Sequence, residues 1–104
     1  MTVNIITAKQ TQQMLQNGRF GLVVDLRDRD EFLQGHLRGA INIPVNQILD
    51  RIGEIKKYQM ANVLLYCEHG MKSISAGKVL ILNGFTRVYR LDKGIDFYDY
   101  TLYS

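Results

Sequence analysis

Short apolar runs alternate with amphipathic stretches along most of this chain. Val3 to Ile6 ("VNII") reads as a first strand. Thr7 with Gln10 makes a capping-box pattern, opening a helix through Met14 and Leu15 that stops near Gly18. Leu22 to Leu26 ("LVVDL") is apolar enough for a second strand buried on both faces. Asp28 and Glu31 are placed to cap a short helix ending at Gly35, and "AINIP" gives a brief third strand closed by Pro44. Ile48, Ile52 and Ile55 fall on one helical face that Gly53 interrupts. "NVLLYC" is a fourth strand. Ser73, Ala76, Gly77, Leu80 and Gly84 then mark a helix with a close-packed inner face and a glycine stop. "RVYRL" is a fifth strand, and the tail from Lys93 to Ser104 reads as a last short helix carrying several tyrosines.

Strands alternating with helices over short connections predict an α/β fold around a mainly parallel sheet of about five strands. In such sheets ligands bind beyond the carboxyl ends of the strands. Cys67 and the segment Asp25-Leu26-Arg27 both fall at such ends.

At 104 residues the chain is expected to form a single domain over positions 1–104. The formal net charge of +3 is mild, and no Lys/Arg run or aromatic motif suggests a nucleic acid partner. A small anion suits this balance better than a polyanion. One cysteine cannot form an internal disulfide. "MTVNIITAKQTQQML" lacks the pattern of a signal peptide, and no apolar run approaches a membrane span. The expectation is a cytoplasmic domain with a reduced thiol and no membrane partner. Two histidines and one cysteine, far apart, make no zinc set, and no cofactor is implied.

The candidate chemistry lies in "CEHGMKS". After Cys67 the chain must curl back to start a helix, and Gly70 can take the positive φ that such a curl needs. The curl gathers inward-pointing N–H groups, the positive end of the helix dipole faces the same spot, and Lys72 adds a full charge. All three favour negative charge on the sulfur and an anion bound beside it. A lone cysteine closing a strand is ordinarily a small buried apolar residue. The glycine, lysine and serine at these offsets point instead to a nucleophile with a built-in anion site. His69 reads equally as a solvent-facing loop residue or as a substrate contact.

"YCEHGMKS" resembles the active-site loop of the rhodanese-like sulfurtransferases, Cys-x-x-Gly-x-Arg/Lys-Ser/Thr. "VVDLRDRDEFLQGHLRGAINIP" is similar to the family's upstream signature through Asp25 and Arg27, Glu31-Phe32, Gly35-His36, Gly39-Ala40 and Asn42-Ile43-Pro44. The resemblance covers nearly the whole chain and implies a rhodanese-like three-layer fold. It implies Cys67 as catalytic nucleophile, taking the outer sulfur of a small anionic donor such as thiosulfate, or of a protein persulfide, and passing it from a Cys67 persulfide to cyanide or a thiol. Glu68, His69, Gly70, Met71, Lys72 and Ser73 become the substrate-binding residues. Their amides would hold the terminal sulfur, Lys72 would bind the donor's sulfonate, and Ser73 would mainly cap the helix.

Asp25, Arg27, Glu31 and His36 are expected to serve as scaffold through charge-assisted bonds. Lys72 stands where many members have arginine, and Lys93-Gly94 with Phe97-Tyr98 replace a glycine pair and tryptophan. Two rivals remain. A small phosphatase or arsenate reductase of related fold would need the longer Cys-x5-Arg loop, whereas this one is Cys-x4-Lys. A docking or redox-sensing module would differ from the enzyme in that Cys67 carries no transferable sulfur.

Overall fold

The computed structural model describes residues 3–104, so the first two positions of the expected domain lie outside it. Its strands are β1 (Val3–Ile6), β2 (Leu22–Asp25), β3 (Ile41–Asn42), β4 (Asn62–Tyr66) and β5 (Arg87–Leu91). They form one five-stranded sheet in the order β1-β5-β4-β2-β3, with every pairing parallel. The helices are α1 (Ala8–Gln16), α2 (Arg29–Gln34) and α3 (Lys72–Leu82). The sheet separates two apolar layers, because successive strand residues point to opposite faces. Along the central strand, Val63, Leu65 and Cys67 join Val24, Ala76 and Leu80 in the layer beneath α3. Leu64 and Tyr66 join Leu37, Ile95 and Tyr98 in the layer that Leu15 and Phe32 cover.

Local chemistry explains the elements. The capping box is complete, with Gln10 N donating to Thr7 Oγ1 at 3.1 Å and Thr7 N donating to Gln10 Oε1 at 2.9 Å. β2 is buried throughout, as its unbroken apolar run requires. The close inner face of α3 is real: a Cβ on Gly77 would lie 3.0 Å from Val3 Cγ2, so α3 sits almost in contact with β1 there.

Four local expectations are corrected. The isoleucine face is not one α-helix but two 3-10 segments, Val45–Gln47 and Ile52–Tyr58, although Ile48 and Ile55 are buried as the spacing predicts. Gly53 sits inside the second segment, where a poor helix former leaves the tighter 3-10 pattern to close the turns. The tail has only the 3-10 turn Ile95–Phe97. Beyond it Tyr103 pairs antiparallel with His36, so the backbone groups a helix would need are spent on a bridge. β3 is shorter than "AINIP" suggests. Asp28 occupies the N-cap of α2 without a side-chain capping bond.

Candidate active site

The carboxyl end of the sheet is fixed from below by a buried polar cluster. Tyr66 donates its hydroxyl to Asp25 Oδ2 at 2.7 Å and accepts from Leu37 N at 3.0 Å. Asp25 also accepts from Arg27 through the backbone N at 2.9 Å, Nε at 3.1 Å and Nη2 at 2.9 Å. Arg27 continues to Gly35 O, and Asn42 Nδ2 bridges the carbonyls of Asp25 and Arg27. Burial, and then the Asp25 charge, pushes the Tyr66 phenol well above its usual range. Burial works against the Arg27 charge, but the hydrogen bonds and charge of Asp25 outweigh it and raise the guanidinium. The cluster ties β2 to β4, and to the turn after α2, at the level where Cys67 emerges.

Because Tyr66 points into this cluster, strand alternation turns Cys67 to the opposite face, under the start of α3. Cys67 is only 1% exposed and forms part of a pocket of about 180 Å³ lined also by Glu68, His69, Met71 and Lys72. The thiol is thus at the floor of the cleft rather than at its mouth. Gly70 has φ +94°, the left-handed conformation that its position predicts.

The loop's carbonyls are held from behind. Cys67 O accepts from Ile95 N at 2.9 Å, and Glu68 O accepts from Asp96 N at 3.1 Å. Gly70 O accepts from Ser73 Oγ at 2.9 Å and from Arg90 Nη1 at 3.2 Å. In a trans peptide the N–H points opposite to the C=O. Anchoring these carbonyls therefore turns the N–H groups of Glu68, His69 and Met71 the other way. Among the described residues, no oxygen accepts a hydrogen bond from the N–H groups of His69 and Met71, while the Glu68 N–H is met by its own carboxylate. Ser73 is buried in the first turn of α3 and spends its hydroxyl on Gly70 O, so it ties loop to helix and does not act as the N-cap, which is Met71.

An ion pair and a histidine–carboxylate contact form the rim. Lys72 Nζ lies 3.0 Å from Glu68 Oε2, and His69 Nδ1 lies 3.1 Å from Asp96 Oδ2. Burial opposes ionisation of Glu68, but its own backbone N–H and Lys72 hold its carboxyl below the usual range. Hydrogen bonding to Glu68, reinforced by the charges of Glu68, Asp28 and Glu31, raises Lys72. Met71 is 73% exposed beside them.

The structure therefore brings Cys67, Glu68, His69, Met71 and Lys72 to one pocket, with Gly70 and Ser73 shaping its wall. Asp25 and Arg27 are buried bracing, and His36 bonds Phe32 O and stacks on Phe32 at 4.1 Å between centroids. Two contributors, Arg90 and Asp96, are not among the residues the sequence singles out, and a third, Gly94, stands there only as part of a departure from the family pattern. Arg90 holds Gly70 O, Asp96 meets His69, and Gly94 lets the chain pass behind the loop. A Cβ on Gly94 would collide with the carbonyls of Cys67 and Glu68. The glycine in "LDKGIDF" was the visible signal; nothing local marks Arg90 or Asp96.

A parallel five-stranded α/β sheet carries a cysteine loop over its carboxyl edge, the arrangement that the resemblance to the rhodanese-like family implies. The chain superposes on a rhodanese-like domain protein from Staphylococcus aureus with a TM-score of 0.83, covering 97% of each chain at 22% identity. The family model described as rhodanese-like domain matches residues 7–99, and the chain belongs to that family. It is 35% identical to the thiosulfate sulfurtransferase GlpE of Pseudomonas aeruginosa over 91% of this chain and 83% of that protein. It is 33% identical to the tRNA uridine(34) hydroxylase of Buchnera aphidicola over 86% of this chain, but spans only 30% of that relative's length.

Proposed function

We propose that this protein is a sulfurtransferase that carries a sulfane sulfur on Cys67. The observation that carries this reading is the outward anchoring of the loop carbonyls by Ile95, Asp96 and Arg90, which leaves N–H groups of the loop free for an anion above the thiol. The Cys67 thiolate attacks the outer sulfur of thiosulfate. A sulfur–sulfur bond forms, the bond to the sulfonate sulfur breaks, and sulfite leaves with the electron pair. The negative terminal sulfur is then stabilised by the N–H groups of His69 and Met71, as an oxyanion would be. Cyanide or a thiol attacks that sulfur and the thiolate is regenerated. The terminal sulfur is small enough for the cleft, and similarity to a protein named thiosulfate sulfurtransferase supports this donor class. A protein persulfide and a protein thiol are the corresponding partners in a cytoplasmic setting.

The test is the intact mass after incubation with thiosulfate. The parent is expected to gain one sulfur atom and lose it to cyanide with release of thiocyanate, while Cys67→Ser gains none. A parent that takes no sulfur from thiosulfate or from a persulfide donor overturns the reading.

A further inference from the structure

Lys72 is the one full positive charge lining the Cys67 pocket, and it is already met. Its Nζ lies 3.0 Å from Glu68 Oε2, and both side chains line the same cleft as the thiol. Together they bring a net charge near zero to the mouth. The surroundings lean further to the negative side. Asp28 and Glu31 add their fields at Lys72, and Asp96 stands on the opposite rim against His69. The other nearby cation, Arg90, is committed to Gly70 O. A donor with two negative charges meets a dipole here, not a free ammonium.

We propose that Glu68 is the specificity-determining residue of the sulfur-transfer site, and that by occupying Lys72 it selects against dianionic donors and for donors carrying one negative charge. The inference rests on the sulfurtransferase reading and adds to it the charge of the preferred donor. Each negative charge of the donor feels the Glu68 carboxylate separately, so a dianion loses about twice what a monoanion loses. Replacing Glu68 by glutamine keeps the side-chain shape, removes one charge and frees Lys72.

The experiment compares two sulfonyl donors of different charge, thiosulfate (two charges) and methanethiosulfonate (one charge). With the second, Cys67 takes the outer sulfur, the sulfur–sulfur bond of the donor breaks, and methanesulfinate leaves with the electron pair. The quantity read is the ratio of kcat/KM for thiosulfate to that for methanethiosulfonate. Glu68→Gln is expected to raise this ratio about fivefold at low salt, chiefly through a lower KM for thiosulfate, and high salt should shrink the gain. The double variant Glu68→Gln with Lys72→Gln should lose the gain. Because methanethiosulfonate turnover reports loop integrity in the same variant, general damage would lower both donors and leave the ratio alone. A ratio unchanged in Glu68→Gln, in a variant that still turns over methanethiosulfonate, overturns this proposal and leaves the sulfurtransferase reading standing. A parent inert to both donors, and to a persulfide donor as well, overturns the two together.

Discussion

Tyr66 and Asp25 are the residues whose chemistry most directly fixes where Cys67 comes to rest. Asp25 gathers donors from Arg27 and Tyr66, and no buried side-chain polar atom among the described residues is left without a partner. Asp25→Ala would leave the Arg27 guanidinium buried and unpaired, and should cost about 3–5 kcal/mol in urea unfolding. Tyr66→Phe strands one bond at Asp25 and one at Leu37 N, and should cost about 1–3 kcal/mol. The phenol also gives a pH signature. Its folded pKa is raised above the unfolded value of about 10, so its contribution is complete below that pH. As pH climbs beyond it, the unfolded chain ionises first and stability falls by about 1.4 kcal/mol per unit. The difference in unfolding free energy between the parent and Tyr66→Phe should therefore narrow above pH ~10; a constant difference would contradict the assignment. Glu68 behaves oppositely. Its depressed carboxyl adds stability above the ordinary carboxylate range, and that small increment is lost as pH falls through its folded value.

Between elements, the decisive contact joins the turn after β5 to the loop after β4. Gly94 has φ +74° and ψ −172°, a combination essentially confined to glycine, and its missing side chain is what lets Ile95 and Asp96 reach the carbonyls behind Cys67. Gly94→Ala combines backbone strain with a collision against the loop. It should cost about 3 kcal/mol or more in unfolding, and sulfur loading should fall even in the fraction that remains folded. Full loading by a folded Gly94→Ala protein would show that the turn does not set the loop's geometry. This is also where the sequence is least legible. The capping box, the buried run of β2 and the apolar alternation along β4 depend on near neighbours, and each appears as its pattern predicts. Arg90, Gly94 and Asp96 act across the sheet on a loop more than twenty positions away or close to it, as in the Arg90 bond to Gly70, where the separation is 20 residues. No local periodicity encodes such a partnership. The tail fails for the same reason: it reads as a short helix carrying tyrosines, but Tyr103 finds a backbone partner in His36 that only the folded chain supplies.

The whole molecule sorts these roles by side of the sheet. One apolar layer holds the bracing that ends in Tyr66; the other holds Cys67 beneath α3, with the dipole of that helix and the loop amides directed at the same region. The family and the loop were readable from residue order alone. What the sequence did not contain was the state of the charges, since Lys72 reads as an open anion-binding group until Glu68 is seen 3.0 Å away. Whether loop amides hold an extra sulfur on Cys67 is decided by following the backbone amide resonances of His69 and Met71 while the protein is loaded with thiosulfate and its mass recorded. Both resonances are expected to shift downfield together as one sulfur is gained, and to return when cyanide removes it. A sulfur gained with both unmoved, or no sulfur gained from thiosulfate or from a persulfide donor, would refute that role of the loop.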